Sequence, residues 1–251
     1  MKFNNKPFIL GSWLCADSTA IAELMAMCGF DFLTIDAEHS PVGISECYSL
    51  LQAIKSGNPE CLALVRMPGN NYDETKRFMD AGADGVICPM IKTKEDVENV
   101  VQAVKYAPTG SRGVGYCRAN NYGMNLQKSV SEDNDKTIIV LQIEHIDAIN
   151  NLDDILSVNG IDAAIIGPYD LSASMGITGD FSHPDMIAAI KKNLDACIKY
   201  GVMPGIHVVK PSIDEVQSRI DQGYKFIAYS VDITMISTLS QDFLQHFKSK
   251  K

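Results

Sequence analysis

IIVLQIEHIDAINNLDDILSVNGIDAAIIGPYD, residues 138–170, decides how this chain folds. IIVLQI near its start and DAAIIG near its end are short apolar runs that read as buried strands. The distance from Glu144 to Asp170, positions 144 to 170, fits one strand–helix–strand repeat, which returns the second strand parallel to the first. Each run is followed by an acid. A carboxylate at the end of a buried strand is costly unless something positive meets it. In a parallel repeat both acids reach the same rim, where a hard divalent cation could join them. Taken singly, Glu144 also reads as a helix cap and Asp170 as the start of a turn.

Outward from this repeat the same alternation fills the chain. Apolar runs occur at FILGSWL, FDFLTI, CLALVRM, DGVICPM, IIVLQI, DAAIIG, VMPGIHVV and FIAYSV. Between them lie amphipathic segments such as AIAELMAMCG, DETKRFMDAGA, DVENVVQAVKYA, MIAAIKKNLDACIKYG and IDEVQSRIDQG, several ending in Gly. Strand then helix, eight times in 251 residues, predicts one (β/α)8 TIM barrel spanning residues 1–251. An open doubly wound sheet is the other arrangement of such repeats, but no GxGxxG follows the first strand. Chemistry in a barrel belongs at the strand C-termini. The residues there are unusually polar: Asp17, Asp36 to His39, Arg66, Gln142, Glu144, Gly167 to Asp170, His207, Ser230 and Asp232. One connection, of about thirty residues beginning APTGSRGVGYCRANNYG, is longer than the rest, and long barrel loops often carry function.

Composition narrows the functional classes. A net charge of −9 argues against a nucleic-acid surface. The basic cluster Lys248, Lys250 and Lys251 ends a predicted helix, where it complements the dipole. No segment reaches the roughly 18 consecutive apolar residues of a membrane span, and the N-terminus lacks an export signal. A cytoplasmic protein without a membrane partner is expected. The seven cysteines are scattered without CxxC spacing, which predicts neither a disulfide framework nor a zinc site.

Several strand ends carry candidate chemistry. Asp36-Ala37-Glu38-His39 sets a His beside two carboxylates, a candidate general base oriented by a neighbouring acid. Arg66 ends CLALVRM and needs an anion, either a substrate oxygen or a structural partner among Asp36 and Glu38. Gly167-Pro168-Tyr169-Asp170-Leu171-Ser172 leads into a helix start whose backbone N–H groups can receive a carboxylate while Asp170 binds metal. Gln142, two positions before Glu144, points the same way by strand alternation. Lys210 after GIHVV offers a Schiff-base alternative. His207 ends the seventh run and is a further candidate for the mouth.

Asp36-Ala37-Glu38-His39, Val65-Arg66, Gln142-Ile143-Glu144 and Gly167-Pro168-Tyr169-Asp170-Leu171-Ser172, in this order, make the chain resemble the HpcH/HpaI family of class II, metal-dependent pyruvate aldolases. DAGADGVICPM, APTGSRGVG and GIDAAIIGPYDLSASMG extend the resemblance over almost the whole chain. It implies a phosphoenolpyruvate/pyruvate-binding barrel that reversibly cleaves a 4-hydroxy-2-keto acid to pyruvate and an aldehyde. The resemblance further implies Mg²⁺, Mn²⁺ or Co²⁺ on Glu144 and Asp170, with Gln142 near the keto acid. Arg66 would lie on the keto oxygen, His39 with Asp36 would serve as base, and the backbone from Gly167 through Pro168 and Tyr169 to Asp170 would hold the carboxylate. A hexamer of dimers that exchange a C-terminal helix is implied as well. Tyr169 stands where the family usually has a small residue, and Pro68-Gly69-Asn70 where it often has a Trp-containing stretch. Arg118, Asn120, Asn121 and Tyr122 of the long connection are expected to shape the distal end of the substrate. A non-catalytic keto-acid-binding barrel is the reading outside enzymology, since fold does not fix function.

Overall fold

The computed structural model describes Phe3 and residues 6–248. All eight apolar runs are strands: β1 (Ile9–Leu14), β2 (Phe32–Asp36), β3 (Leu62–Arg66), β4 (Gly85–Cys88), β5 (Ile138–Ile143), β6 (Ala163–Ile166), β7 (Met203–Val208) and β8 (Phe226–Val231). They pair in parallel in sequence order, and β8 closes on β1. The fold is a (β/α)8 barrel with helices between the strands.

Period-2 alternation divides the strands into two buried sets. Ile9 and Trp13, Phe32, Leu64, Ile87, Ile138 and Val140, Ala163 and Ile165, and Phe226 and Ala228 fill the barrel. Their neighbours, among them Leu33, Ile35, Val65, Leu141 and Ile227, face the helices in a larger cluster. Phe32 and Phe226 stack at 4.2 Å between ring centroids deep in the barrel. Gly11 makes room for them, because a Cβ there would fall 2.3 Å from the Phe32 ring.

Followed toward the strand C-termini, the inward series changes character. Phe32 and Thr34 lead to Asp36, Leu64 leads to Arg66, and Ile138 and Val140 lead to Gln142. The same parity that packs the core therefore aims polar groups at the mouth.

Local signals fix the helices around this frame. Ser18, Asn71, Thr93 and Ser212 accept hydrogen bonds from the first-turn backbone of the helices Thr19–Met27, Tyr72–Asp80, Lys94–Val104 and Ile213–Asp221, satisfying donors with no partner inside the helix. Gly201, at φ 71°, ends the helix Pro184–Tyr200, as a left-handed terminus requires.

The long connection departs from expectation. It follows the helix Lys94–Val104 and enters β5, so it joins a helix to a strand, and its Ser111 O and Gly113 N–H meet the Tyr72 hydroxyl at the start of the helix Tyr72–Asp80. It contains a 3₁₀ turn, Arg118–Asn120, and a helix, Leu126–Lys136. Arg118 donates to Ala81 O at 3.0 Å, and the Tyr122 and Tyr48 hydroxyls are hydrogen-bonded. Asn120 is buried and staples the segment itself, accepting from Cys117 and Gly123 N–H and donating to Gly115 O. Asn121 adopts φ 52° in the turn beside it. Arg118, Asn120, Asn121 and Tyr122 do not border the cavity described below.

The helix Asp232–Lys248 ends the described chain, and Lys250 and Lys251 lie outside the described residues. Among the described residues no helix is long and apolar enough to cross a membrane.

Candidate active site

A cavity of about 270 Å³ opens at the strand C-termini. His39, Arg66, Gln142, Glu144, Gly167, Pro168, Tyr169 and Asp170 all border it, together with Trp13, Ile165, Ile166, His207 and Val209. Residues from both halves of the sequence meet there because the closed barrel brings its strand ends round one rim.

Glu144 sits one residue past β5 and is only 1% exposed. Its Oε1 accepts from Met90 N–H at 2.6 Å, and its Oε2 accepts from Gln142 Nε2. Met90 holds φ 53° to present that N–H, a sparsely populated conformation for a residue with a side chain. Burial pushes the Glu144 carboxyl above its ordinary range, and the nearby Asp170 charge adds to the rise against the two hydrogen bonds. Gly167 leaves the space Glu144 occupies, since a Cβ there would lie 2.7 Å from Oε2. Asp170 stands in the first turn of the helix Pro168–Ser174, exposed on the rim.

This donor set fits a hard cation. Two acids of like charge border one cavity, and the buried one is held back from ionisation by desolvation and by its neighbour, a combination that a divalent ion would relieve. Among the described residues no cluster of three or more His, Cys, Asp or Glu side chains forms a complete cage, so water or substrate oxygens would supply the other ligands.

Arg66 has both partners that its sequence context offered. Its Nε and Nη2 grip the two Asp36 oxygens at 2.9 and 2.6 Å, and its Nη1 lies 3.0 Å from Glu38 Oε2. The Glu38 contact is an ion pair without hydrogen-bond alignment. Burial opposes the Asp36 charge, but the Arg66 hydrogen bonds and charge outweigh it and hold the carboxyl below its usual range. Glu38 is pushed upward, chiefly by burial. The guanidinium also lies 4.3 Å from the Trp13 ring centroid, a cation–π distance.

Asp36 does not border the cavity but organises what does. Its Oδ1 accepts from the Glu38 and His39 backbone N–H groups, fixing the turn that carries His39. The His39 side chain is 64% exposed, with Nε2 3.7 Å from Glu38 Oε2. Cys15 donates to Asp36 Oδ2 from the other side, and burial pushes its thiol up to about 12.

The two sequence departures sit at the rim. Tyr169 is 60% exposed and packs edge-on against Phe181 at 4.9 Å. Asn70 donates to Pro89 O at 2.6 Å, bracing the loop whose next residue, Met90, holds Glu144. Lys210 is exposed and does not border the cavity.

Trp13 was not legible as a site residue from its sequence context. Its signal was parity, because Ile9, Gly11 and Trp13 alternate along β1 and the third position reaches the mouth.

The HpcH/HpaI aldolase/citrate lyase model matches residues 10–238. A hydroxypyruvate/pyruvate aldolase of Sagittula stellata is 38% identical over 231 residues, covering 91% of this chain and 89% of that protein. A 2-keto-3-deoxy-L-rhamnonate aldolase of Klebsiella pneumoniae is also 38% identical, over 96% of this chain and 89% of its own. Among solved structures, an HpcH/HpaI aldolase/citrate lyase family protein from Burkholderia cenocepacia superposes with a TM-score of 0.92 at 29% identity, covering 98% of this chain and 97% of that one. Agreement of this extent, in sequence and in fold, makes the chain a member of the HpcH/HpaI aldolase/citrate lyase family, an enzyme of the aldolase type of lyase.

Proposed function

We propose that this protein is a cytoplasmic, divalent-metal-dependent aldolase that cleaves a 4-hydroxy-2-keto acid into pyruvate and an aldehyde. The observation that carries the reading is Glu144, a buried carboxylate pre-positioned by Met90 N–H and Gln142 in the cavity that Arg66 also borders. Glu144 and Asp170 are the residues to hold Mg²⁺, Mn²⁺ or Co²⁺. When bound there, such an ion supplies Lewis-acid polarisation of the substrate ketone.

The chain's own groups divide the remaining work. The first-turn backbone from Gly167 through Asp170 holds the keto acid's carboxylate, and Gln142 orients its neighbour Glu144 while facing the substrate. His39 takes the proton of the 4-hydroxyl, directly or through water. The C3–C4 bond then breaks, its electron pair moves toward the C2 oxygen, and C4 leaves as the aldehyde carbonyl. Arg66, fixed by Asp36 and Glu38, stabilises the negative charge that grows on the C2 oxygen. Protonation of C3 completes pyruvate.

Assembly as a hexamer of dimers that exchange the C-terminal helix belongs to the same proposal. Ile233, Ile236, Leu239, Phe243 and Leu244 are exposed along the helix Asp232–Lys248, and a contiguous apolar stripe of that kind favours a covering subunit.

The direct test is exchange of the pyruvate methyl protons for deuterium, followed by NMR, alongside pyruvate release from a panel of 4-hydroxy-2-keto acids. Both activities are expected to vanish with chelator and return with Mn²⁺. Full activity after exhaustive chelation would remove the metal assignment.

A further inference from the structure

His207 is the one histidine of the cavity whose ring is held on several sides. It lies on the inward parity of β7 and stacks on Trp13 with ring centroids 5.0 Å apart and planes 7° from parallel. Its Nε2 lies 3.0 Å from Ser230 O. A carbonyl only accepts, so Nε2 carries the hydrogen and the tautomer is set. Ser230 adopts φ 53°, and its hydroxyl donates to Val209 O at 3.0 Å, tying the end of β8 to the residue just after β7. A non-glycine residue in this conformation, placed beside a cavity, marks a geometry that the surroundings enforce.

Two consequences follow for the ring. Burial pushes the imidazole down to about 4, so it is uncharged at neutral pH. Nδ1 then bears a lone pair, and among the described residues no donor engages it. It is also absent from the sealed, partnerless polar atoms of the interior, and the residue borders the cavity.

The charge around that cavity limits what can sit there. Arg66 is its one lysine or arginine among the described residues, and Asp36 and Glu38 already match it. Glu144 and Asp170 are acidic. Ile165, Ile166 and Val209 complete an apolar lining. A carboxylate-ended aldehyde finds no unmatched cation bordering the cavity among the described residues, whereas a neutral aldehyde bearing a hydroxyl finds an apolar wall with one fixed acceptor.

We propose that His207 is a specificity-determining residue that accepts a hydrogen bond through Nδ1 from a hydroxyl of the aldehyde, so that short, uncharged hydroxyaldehydes are the favoured partners of pyruvate. The assignment rests on the aldolase reading above and names the aldehyde class for that site.

The experiment is aldol addition of pyruvate by the metal-loaded enzyme to lactaldehyde and to propanal, which differ by one hydroxyl, with succinic semialdehyde as the charged comparison. The wild-type enzyme is expected to show a kcat/KM for lactaldehyde about tenfold above that for propanal, the order expected of one net hydrogen bond, and above that for succinic semialdehyde. His207→Leu is expected to bring the lactaldehyde-to-propanal ratio close to one. His207→Asn, whose Oδ1 stands near the position of Nδ1, is expected to keep most of it, and it decides the matter if the leucine variant does not fold.

Equal losses on both aldehydes in His207→Leu would assign a structural role and overturn the proposal. So would a wild-type ratio of one, loss of the ratio in His207→Asn equal to that in His207→Leu, or a preference for succinic semialdehyde. Pyruvate methyl exchange reads the parent reaction separately. Exchange with no hydroxyl preference sinks the His207 assignment alone, while no exchange in the wild-type enzyme removes the aldolase reading and this assignment together.

Discussion

Glu144 and Asp36 are both buried at the barrel mouth, yet their surroundings drive them in opposite directions. Glu144 is pushed upward by burial and by Asp170, so its ionised form lowers the stability of the metal-free protein. Its stabilising contribution is complete below the unfolded value and is lost as pH rises through the folded one. Glu144→Gln should therefore melt, in chelator at neutral pH, no lower than wild type, and should lose the increase in Tm that Mn²⁺ gives wild type. Scanning calorimetry checks both, and an undiminished Mn²⁺ response in the variant counts against ligation. For Asp36 the sign reverses. Arg66 outweighs the burial that opposes ionisation and holds its carboxyl below its ordinary range, so its contribution is present above the unfolded value and fades as pH falls through the folded one. Asp36→Asn leaves a buried guanidinium short of a partner and should cost about 3 kcal/mol at neutral pH. Urea titrations should show that gap narrowing toward acid pH. The acids and Arg66 were all legible in sequence as strand-end charges. Which anion Arg66 holds was not, because Asp36, Glu38 and a substrate oxygen are equivalent partners until backbone geometry ranks them.

Between β6 and the helix Pro168–Ser174, Gly167 joins an element boundary to a side-chain position. Gly167→Ala sets a Cβ 2.7 Å from Glu144 Oε2 and 2.8 Å from Glu144 Cβ, so the carboxylate must move. Mn²⁺ affinity is expected to fall by about tenfold or more, as for lost support of a metal ligand, with circular dichroism unchanged; unaltered Mn²⁺ titration would show that the carboxylate adapts freely. At this scale the strands were readable because period-2 burial writes itself into the sequence. The role of residues 107–125 was not. Their polar side chains look available along a linear chain, but Asn120 and Arg118 are consumed by backbone groups that only folding brings near.

Across the whole molecule, the helix Asp232–Lys248 buries only its first residue among those described, while Leu239 is 75% and Phe243 63% exposed. Asp232 anchors it by accepting from the Cys15 and Ala16 N–H groups next to β1. Leu239→Asp combined with Phe243→Asp should lower the mass seen by light scattering by at least twofold while the barrel's circular dichroism persists. An unchanged mass would place the subunit contact elsewhere. The order of strands and helices, the acids at β5 and β6, and the family were determined by the sequence itself, since each depends on periodicity or on short contiguous motifs. Tertiary structure alone decided that Trp13, Arg66 and His207 meet in one stack, that Met90 lends its N–H to Glu144, and that Arg118 of the long connection binds Ala81 O. Those are encounters between residues far apart in the chain, and closure of the barrel is what sets their distances.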